Sequence, residues 1–373
     1  MNNERQTVRD AESAVRRLLD EMGGFCVLAT GKQRGGVEAC DSIIEADCGA
    51  MHVRIGIEAK SRITPQTATS VCARMKSLPD DLIPVVYAPV ISPRVADILA
   101  RFGVGYVDQA GNCRLRSDRH RLLIDRRGYK SSTPPPKGAV DLFSPKSSRV
   151  VRALLNEPAK GWMVRELADQ PEVEVSVGLV AKVKQTLLQE SYAIEHDRLL
   201  YLRDPLALLA TWAERYRGPV EQISLYVRGE QETAEEVVAG WCRANALRYA
   251  LAGLSAAWRL APEVRHKVTS VYVESSGFDR MLLEKLRSDH GGKIVETGAN
   301  LQLWRPFDRS VFVGSAPQDR PGPPITSALQ TFLDLKRIKG RGEEAAAAVL
   351  ERLLARPLRD AAQRVEEMCR EQL

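Results

Sequence analysis

No apolar run in this 373-residue chain approaches the ~18 residues of a membrane-spanning helix, so no transmembrane segment is expected. The opening residues, Met1-Asn2-Asn3-Glu4-Arg5, are polar and lead into an amphipathic pattern, so a secretory signal is not expected either. The seven cysteines are odd in number, scattered, and form no CxxC pair. The five histidines (His52, His120, His196, His266 and His290) lie far apart in the sequence. Together these absences argue against a zinc site and a disulfide framework, and they fit a reduced cytoplasm with most cysteines acting as small core residues. Gly103-Val104-Gly105 and Gly291-Gly292 lack the strand-and-helix context of a phosphate-cradling loop. Ser255 has no His or acid at motif spacing, so no nucleophile is expected there. No tandem repeat or long low-complexity segment appears.

What is present is a globular composition, 44% hydrophobic and 27% charged, long enough for two or three domains. The net charge of +6 is unevenly spread. Residues 113–165 hold thirteen Lys/Arg against four Asp/Glu, an excess larger than that of the whole chain. A basic stretch of this kind suits phosphate contacts.

That stretch abuts a pattern running from Ser144 to about Arg217. Ser144-Pro145 suits a helix start, and Val150, Val151, Leu154 and Leu155 recur at helical spacing. Gly161 reads as the break, with a short second helix over 162–168. Ser176 can cap a third helix whose inner stripe is Val180, Val183 and Leu187. Gly178, Ala181, Lys182, Gln185 and Gln189 turn away from the stripe and offer close approach, amide groups and positive charge. Tyr192–Ile194 and Leu199–Leu202 read as two strands joined by His196-Asp197-Arg198. Three helices and a hairpin make a winged helix-turn-helix. Its DNA-facing residues are expected to be Lys146, Arg149, Ser176, Gly178, Lys182, Lys184, Gln185 and Arg198.

Ahead of it the patterns read helix 8–22, strands over 25–30, 37–46 and 51–59, helix 64–75, strand 82–87, helix 95–102, and short strands over 104–107, 113–115 and 122–124. This is an α/β domain. Period-two alternation puts Glu58 and Lys60 on one face, and Asp41 can join them if the neighbouring strands form a hairpin. Two carboxylates can hold Mg²⁺ while a lysine orients water on a phosphodiester. Glu12 or Glu21 could complete such a site. This pattern resembles the restriction-endonuclease-like PD-(D/E)xK fold over residues 8–128, with Cys40 where that motif has proline.

Residues 129–141 are a proline-rich linker, through Pro134-Pro135-Pro136. From Gly218, strands are expected over 223–227, 268–273, 301–304 and 311–313, and helices over 231–246, 277–289 and 325–335. Two further charged helices, 343–354 and 358–373, are expected at the end. The stretches Tyr249-Ala250-Leu251-Ala252-Gly253-Leu254-Ser255-Ala256, Tyr272-Val273, Ser327-Ala328-Leu329-Gln330-Thr331-Phe332-Leu333-Asp334-Leu335 and Gly340-Arg341-Gly342-Glu343-Glu344-Ala345-Ala346 resemble the AbiEi-family antitoxins of type IV toxin–antitoxin systems, over about residues 144–355. The resemblance implies a DNA-binding repressor of its own operon that opposes a nucleotidyltransferase-like toxin. The α/β domain ahead of the winged helix is a departure from that family.

The expected plan is therefore an α/β multidomain chain: a restriction-endonuclease-like domain over 1–128, a linker over 129–141, a winged helix over 142–217 and an AbiEi-like α/β domain over 218–373. The expected function is sequence-specific regulation of transcription. Double-stranded operator DNA is the expected partner, with a toxin, a second copy of the chain, or both as further partners, and with no membrane partner. No cofactor is expected. The alternative is a nuclease that uses Asp41, Glu58 and Lys60 with Mg²⁺.

Overall fold

The computed structural model describes residues 2–31, 40–49, 51–129, 140–229, 231–315 and 322–370. The chain divides into two compact units, the first made of Met1–Lys137 with the short segment Gln189–Ser191, the second of Gly138–Leu188 and Tyr192–Leu373. Most of the expected proline-rich linker falls outside the described residues, as do residues 37–39 of the second expected strand. No helix among the described residues is long and apolar enough to cross a membrane.

The first unit opens with α1 (Asn2–Met22) and continues through strands β1 (Phe25–Gly31), β2 (Ser42–Cys48) and β3 (Met51–Ala59). It then runs through α2 (Pro65–Met75), β4 (Leu82–Ala88), α3 (Pro93–Arg101), β5 (Gly105–Asp108), β6 (Cys113–Ser117) and β7 (Leu122–Arg126). The seven strands lie side by side in chain order. Strands β3, β4 and β5 are parallel, and both flanks are antiparallel. Alternation sorts the core into two layers. Val53, Ile55, Ile57, Ile83, Val85 and Tyr87 pack with Ala11, Val15 and Leu19 of α1. Ile43, Val86 and Ala88 pack on the other face with Val71, Met75, Val95 and Leu99 of α2 and α3. The central strand β4 is thus covered on both sides, which is why Leu82-Ile83-Pro84-Val85-Val86-Tyr87 reads as an unbroken apolar run. Thr64 starts α2 through a reciprocal capping box with Thr67, and the Ser92 hydroxyl accepts from the Val95 N–H at the start of α3.

The second unit begins with α4 (Pro145–Asn156), α5 (Val164–Asp169), α6 (Val177–Gln189) and a hairpin of β8 (Ala193–His196) and β9 (Leu199–Leu202), followed by α7 (Pro205–Arg215). Then come β10 (Glu221–Tyr226), α8 (Gln231–Ala244), β11 (Tyr249–Ala252), α9 (Gly253–Leu260), β12 (Thr269–Val273), α10 (Arg280–His290), β13 (Lys293–Ile294) and β14 (Leu301–Arg305). Three helices close the unit: α11 (Ala328–Leu335), α12 (Arg341–Val349) and α13 (Ala355–Arg370). Its five-stranded sheet has the order β11-β12-β14-β10-β13. One hydrophobic core joins the inner faces of α4, α6 and α7 to Leu329, Phe332 and Leu333 of α11, Val349 of α12 and Leu358 of α13. The core therefore runs across residue 218 without a break.

Local expectations are corrected in four places. Helix α4 stops at Asn156 rather than at Gly161, because Glu157 precedes Pro158 and leaves helical geometry, with φ −125° and ψ 64°. Trp162 lies outside α5 and pairs in extended form with Leu200: its N–H donates to the Leu200 carbonyl at 3.0 Å and its carbonyl accepts from Leu200 at 2.9 Å. The strand expected over 311–313 is a 3₁₀ turn, Arg309–Phe312, which the Asp308 carboxylate caps at the Ser310 N–H. Finally, α12 and α13 are joined without a break by a π turn, Leu350–Leu354. Pro357 follows and has no N–H for the helical ladder, so a wider turn just upstream relieves the local mismatch.

Candidate nucleic-acid interface

Helix α6 buries Val180, Val183 and Leu187 completely and leaves Ser176, Gly178, Ala181, Lys182 and Gln185 exposed. The Ser176 hydroxyl accepts from the Leu179 N–H at 3.3 Å and caps the helix. A Cβ added at Gly178 would meet nothing within 4 Å, so the first turn offers an open backbone. No acid occurs between Val177 and Gln189. Lys182 is exposed and forms no ion pair among the described residues. Beside the start of α6 lies a shallow groove of about 490 Å³ lined by Lys146, Ala168, Glu174, Val175, Ser176 and Leu179. Lys146, from the first turn of α4, and Ser176 thus share one groove. At the hairpin tip Asp197 and Arg198 both take positive φ, 48° and 64°, which makes a tight two-residue turn and exposes the Arg198 side chain.

Two of the expected contacts face elsewhere. The Arg149 guanidinium turns inward and grips Asp308 by two nitrogens, Nε at 2.9 Å and Nη2 at 2.7 Å, with both side chains mostly buried. Burial pushes the Asp308 carboxyl up, but hydrogen bonds from Arg149 and Ser310 outweigh it and hold the group below its usual range. A guanidinium committed in this way holds two segments together and is not free to meet a phosphate. Lys184 is held by Glu195 of the hairpin at 2.6 Å, with less than a fifth of its side chain exposed. Ser144 also departs from expectation: it donates its hydroxyl to Ser147 and makes no side-chain cap on α4, while Pro145 does take the first helical position.

Sequence reasoning missed a buried polar network behind this surface. Arg152 of α4 is fully buried, donates from Nη2 to Gln330 Oε1 at 2.7 Å, and lies over the Trp212 ring. Gln330 Nε2 donates in turn to the Tyr216 hydroxyl at 2.7 Å and to Asp334 Oδ1 at 2.9 Å. Asp334 Oδ1 also accepts from Tyr272 at 2.8 Å and from Tyr216 at 3.0 Å. Burial raises the Asp334 carboxyl to about 6 and pushes both tyrosines above their ordinary range, while it lowers Arg152. The only available signal was the Ser327–Leu335 stretch, where Gln330 and Asp334 lie four residues apart and so share a helix face.

In the first unit, Asp41 stands across from Glu58, one step beyond the Ser42–Ile57 pair, and the Asp41 N–H donates to the Ile57 carbonyl. Glu58 and Lys60 therefore pair, with Asp41 opposite Glu58 on the neighbouring strand. Their groups are already engaged, however. Glu58 is buried and receives both Lys60, at 2.6 Å, and Arg74 of α2. Asp41 Oδ2 accepts from the Ala59 N–H at 2.9 Å. Glu12 is tied to Ser42 at 2.6 Å and Glu21 to Arg126 at 2.6 Å. No group of three or more His, Cys, Asp or Glu side chains spaced for a metal occurs among the described residues. A carboxylate neutralised by two cations is a poor ligand for Mg²⁺.

The basic run also looks different in three dimensions. Arg114, Arg116, Arg126 and Arg127 each pair with a carboxylate, from Asp125, Asp118, Glu21 and Asp97 or Asp125 respectively. None of the seven cysteines is in a disulfide; burial pushes the Cys113 thiol up to about 11 and Cys242 to about 12, so these two are inert core groups.

These features define a mixed α/β protein with a helical, acid-free exposed face in its second unit. Residues 201–355 match the family of transcriptional regulators described as AbiEi antitoxins of type IV toxin–antitoxin systems. The match begins in β9, so α4, α5, α6 and the whole first unit lie outside it. No curated protein and no solved structure matches the chain.

Proposed function

We propose that residues 142–217 form a winged helix-turn-helix that binds double-stranded DNA, and that the protein regulates transcription. Helix α6 enters the major groove, Lys182 and Gln185 reach phosphate and base edges, Lys146 and Ser176 meet the backbone at the helix start, and Arg198 at the hairpin tip takes the flanking groove. The observation that carries this reading is the outer face of α6. It is exposed, free of acids and open at Gly178, and it adjoins a segment matching a family of transcriptional regulators. The same match supports repression of its own operon and opposition to a nucleotidyltransferase-like toxin. The test is fluorescence anisotropy with DNA from upstream of the gene against scrambled DNA, across a salt series. Binding that is equal on both sequences, or absent at low salt, overturns it.

A second reading, Mg²⁺-dependent DNA cleavage by the first unit, is favoured by the placement of Asp41 across from Glu58 and Lys60 on adjacent strands and opposed by the cations already on Glu58. The expected result with Mg²⁺ or Mn²⁺ is intact plasmid. Cleavage that disappears in Asp41→Ala and Lys60→Ala would reverse that judgement.

A further inference from the structure

A cavity of about 500 Å³ opens in the second unit, away from α6, between the five-stranded sheet and the start of α12. Its rim carries Lys267, Arg337 and Arg341, all exposed, and none forms an ion pair among the described residues. The lining contains a single acid, Asp334. Arg337 does not hang free: its guanidinium crosses Gly218, where a Cβ would lie 1.9 Å from Nη1, so the missing side chain makes its channel. Gly218 sits at φ +77°, a conformation that also favours glycine.

Behind the lining the polar groups are already buried. Asp334 is buried, and its Oδ1 accepts three hydrogen bonds, yet its Oδ2 has no partner. That oxygen is sealed from the cavity and belongs to the buried network of Arg152, whose Nε and Nη1 also lack partners. Leu254, Ile338 and Trp304 give the wall an apolar surface. The chemistry is therefore split: cations at the mouth and an apolar side beneath them. The volume falls within the range of small-molecule sites and exceeds what an inorganic anion fills.

We propose that this cavity binds an organic phosphate of nucleotide size. Its phosphate lies against Arg337, Arg341 and Lys267, the two guanidinium groups matching phosphate oxygens by paired donors. Its body lies on the apolar wall of Leu254, Ile338 and Trp304. The site makes no use of α6, and its occupancy is read without DNA, so its failure and that of the DNA-binding reading are separable.

The test uses the full chain in calorimetry or thermal-shift titrations with ATP, GTP, CTP, UTP and AMP, and with inorganic phosphate, at matched ionic strength. At least one nucleotide is expected to bind with a dissociation constant below about 1 mM. Arg341→Ala, whose side chain is exposed, is expected to weaken it by about tenfold while melting unchanged without ligand, and Arg337→Ala is expected to weaken it by a similar factor. Lys182→Ala is expected to leave it unaltered. Gly218→Ala, which displaces Arg337, is expected to weaken binding as well. Absence of any nucleotide binding overturns the proposal, as does binding that survives in both arginine variants or inorganic phosphate binding as tightly as the best nucleotide.

Discussion

At the scale of single residues, the contrast between Arg149, Arg152 and Lys182 is instructive. All three are cations in or near the helices expected to meet DNA, but only Lys182 is exposed and unpaired. Lys182→Ala is expected to weaken DNA binding and to reduce the salt slope by about one unit, measured by anisotropy over a salt series. Arg149→Ala is expected instead to destabilise the fold, by on the order of 3 kcal/mol, because it strands Asp308 as a buried charge; chemical denaturation measures this. Asp334 supplies a pH signature. Its folded value of about 6 lies above the ordinary 3.8, chiefly through burial. The folded state thus holds the proton more tightly, so the group favours folding at low pH and that contribution is lost as pH rises towards about 6. The melting temperature of the wild type relative to Asp334→Asn should fall as pH rises from about 4 to about 6. A flat difference would show that the carboxyl stays ionised throughout.

At the scale of elements, α11 and α12 depend on a close approach. At Gly342 a Cβ would lie 2.7 Å from the Leu335 carbonyl oxygen and 2.4 Å from Ile338 Cβ. The Leu335 carbonyl belongs to the backbone and cannot swing aside, so the start of α12 would have to move. Gly342→Ala is therefore expected to cost about 2 kcal/mol, the usual scale of overpacking, and to lower the melting temperature. The glycine in Gly340-Arg341-Gly342 that looks like a simple helix breaker is thus a packing requirement. Helix α6 makes the opposite case. Its apolar stripe and polar face follow from spacing alone, because one side packs on a core and the other faces solvent.

At the scale of the whole chain, the second unit is held together by one core and by two polar bridges, Arg149–Asp308 and Arg152–Gln330–Asp334. A fragment ending at residue 217 would expose the faces of α4 and α7 that pack on α11 and α13. Residues 138–217 alone are expected to melt without a cooperative transition, whereas residues 138–373 should melt cooperatively; circular dichroism distinguishes the two. The pairing of Arg114, Arg116, Arg126 and Arg127 with carboxylates also means that the basic excess counted along the sequence overstates the charge offered to a partner.

The sequence alone determined what nearest neighbours along the chain control. Thr64-Pro65 and Ser92-Pro93 start helices because capping oxygens and a fixed proline φ act within four residues. The alternation that buries Ile55 and Ile57 on one side of the sheet is likewise local. The Ser327–Leu335 and Gly340–Ala346 stretches marked the family that residues 201–355 match. Tertiary structure decided which charges are spent. Arg149 finds Asp308, Glu58 finds Arg74, and Arg152 finds Gln330, across separations of 159, 16 and 178 residues. No periodicity spans such distances. A charge is worth little on an exposed surface and much in a buried pair, so the role of each cation was settled only when the fold gave it, or denied it, a partner.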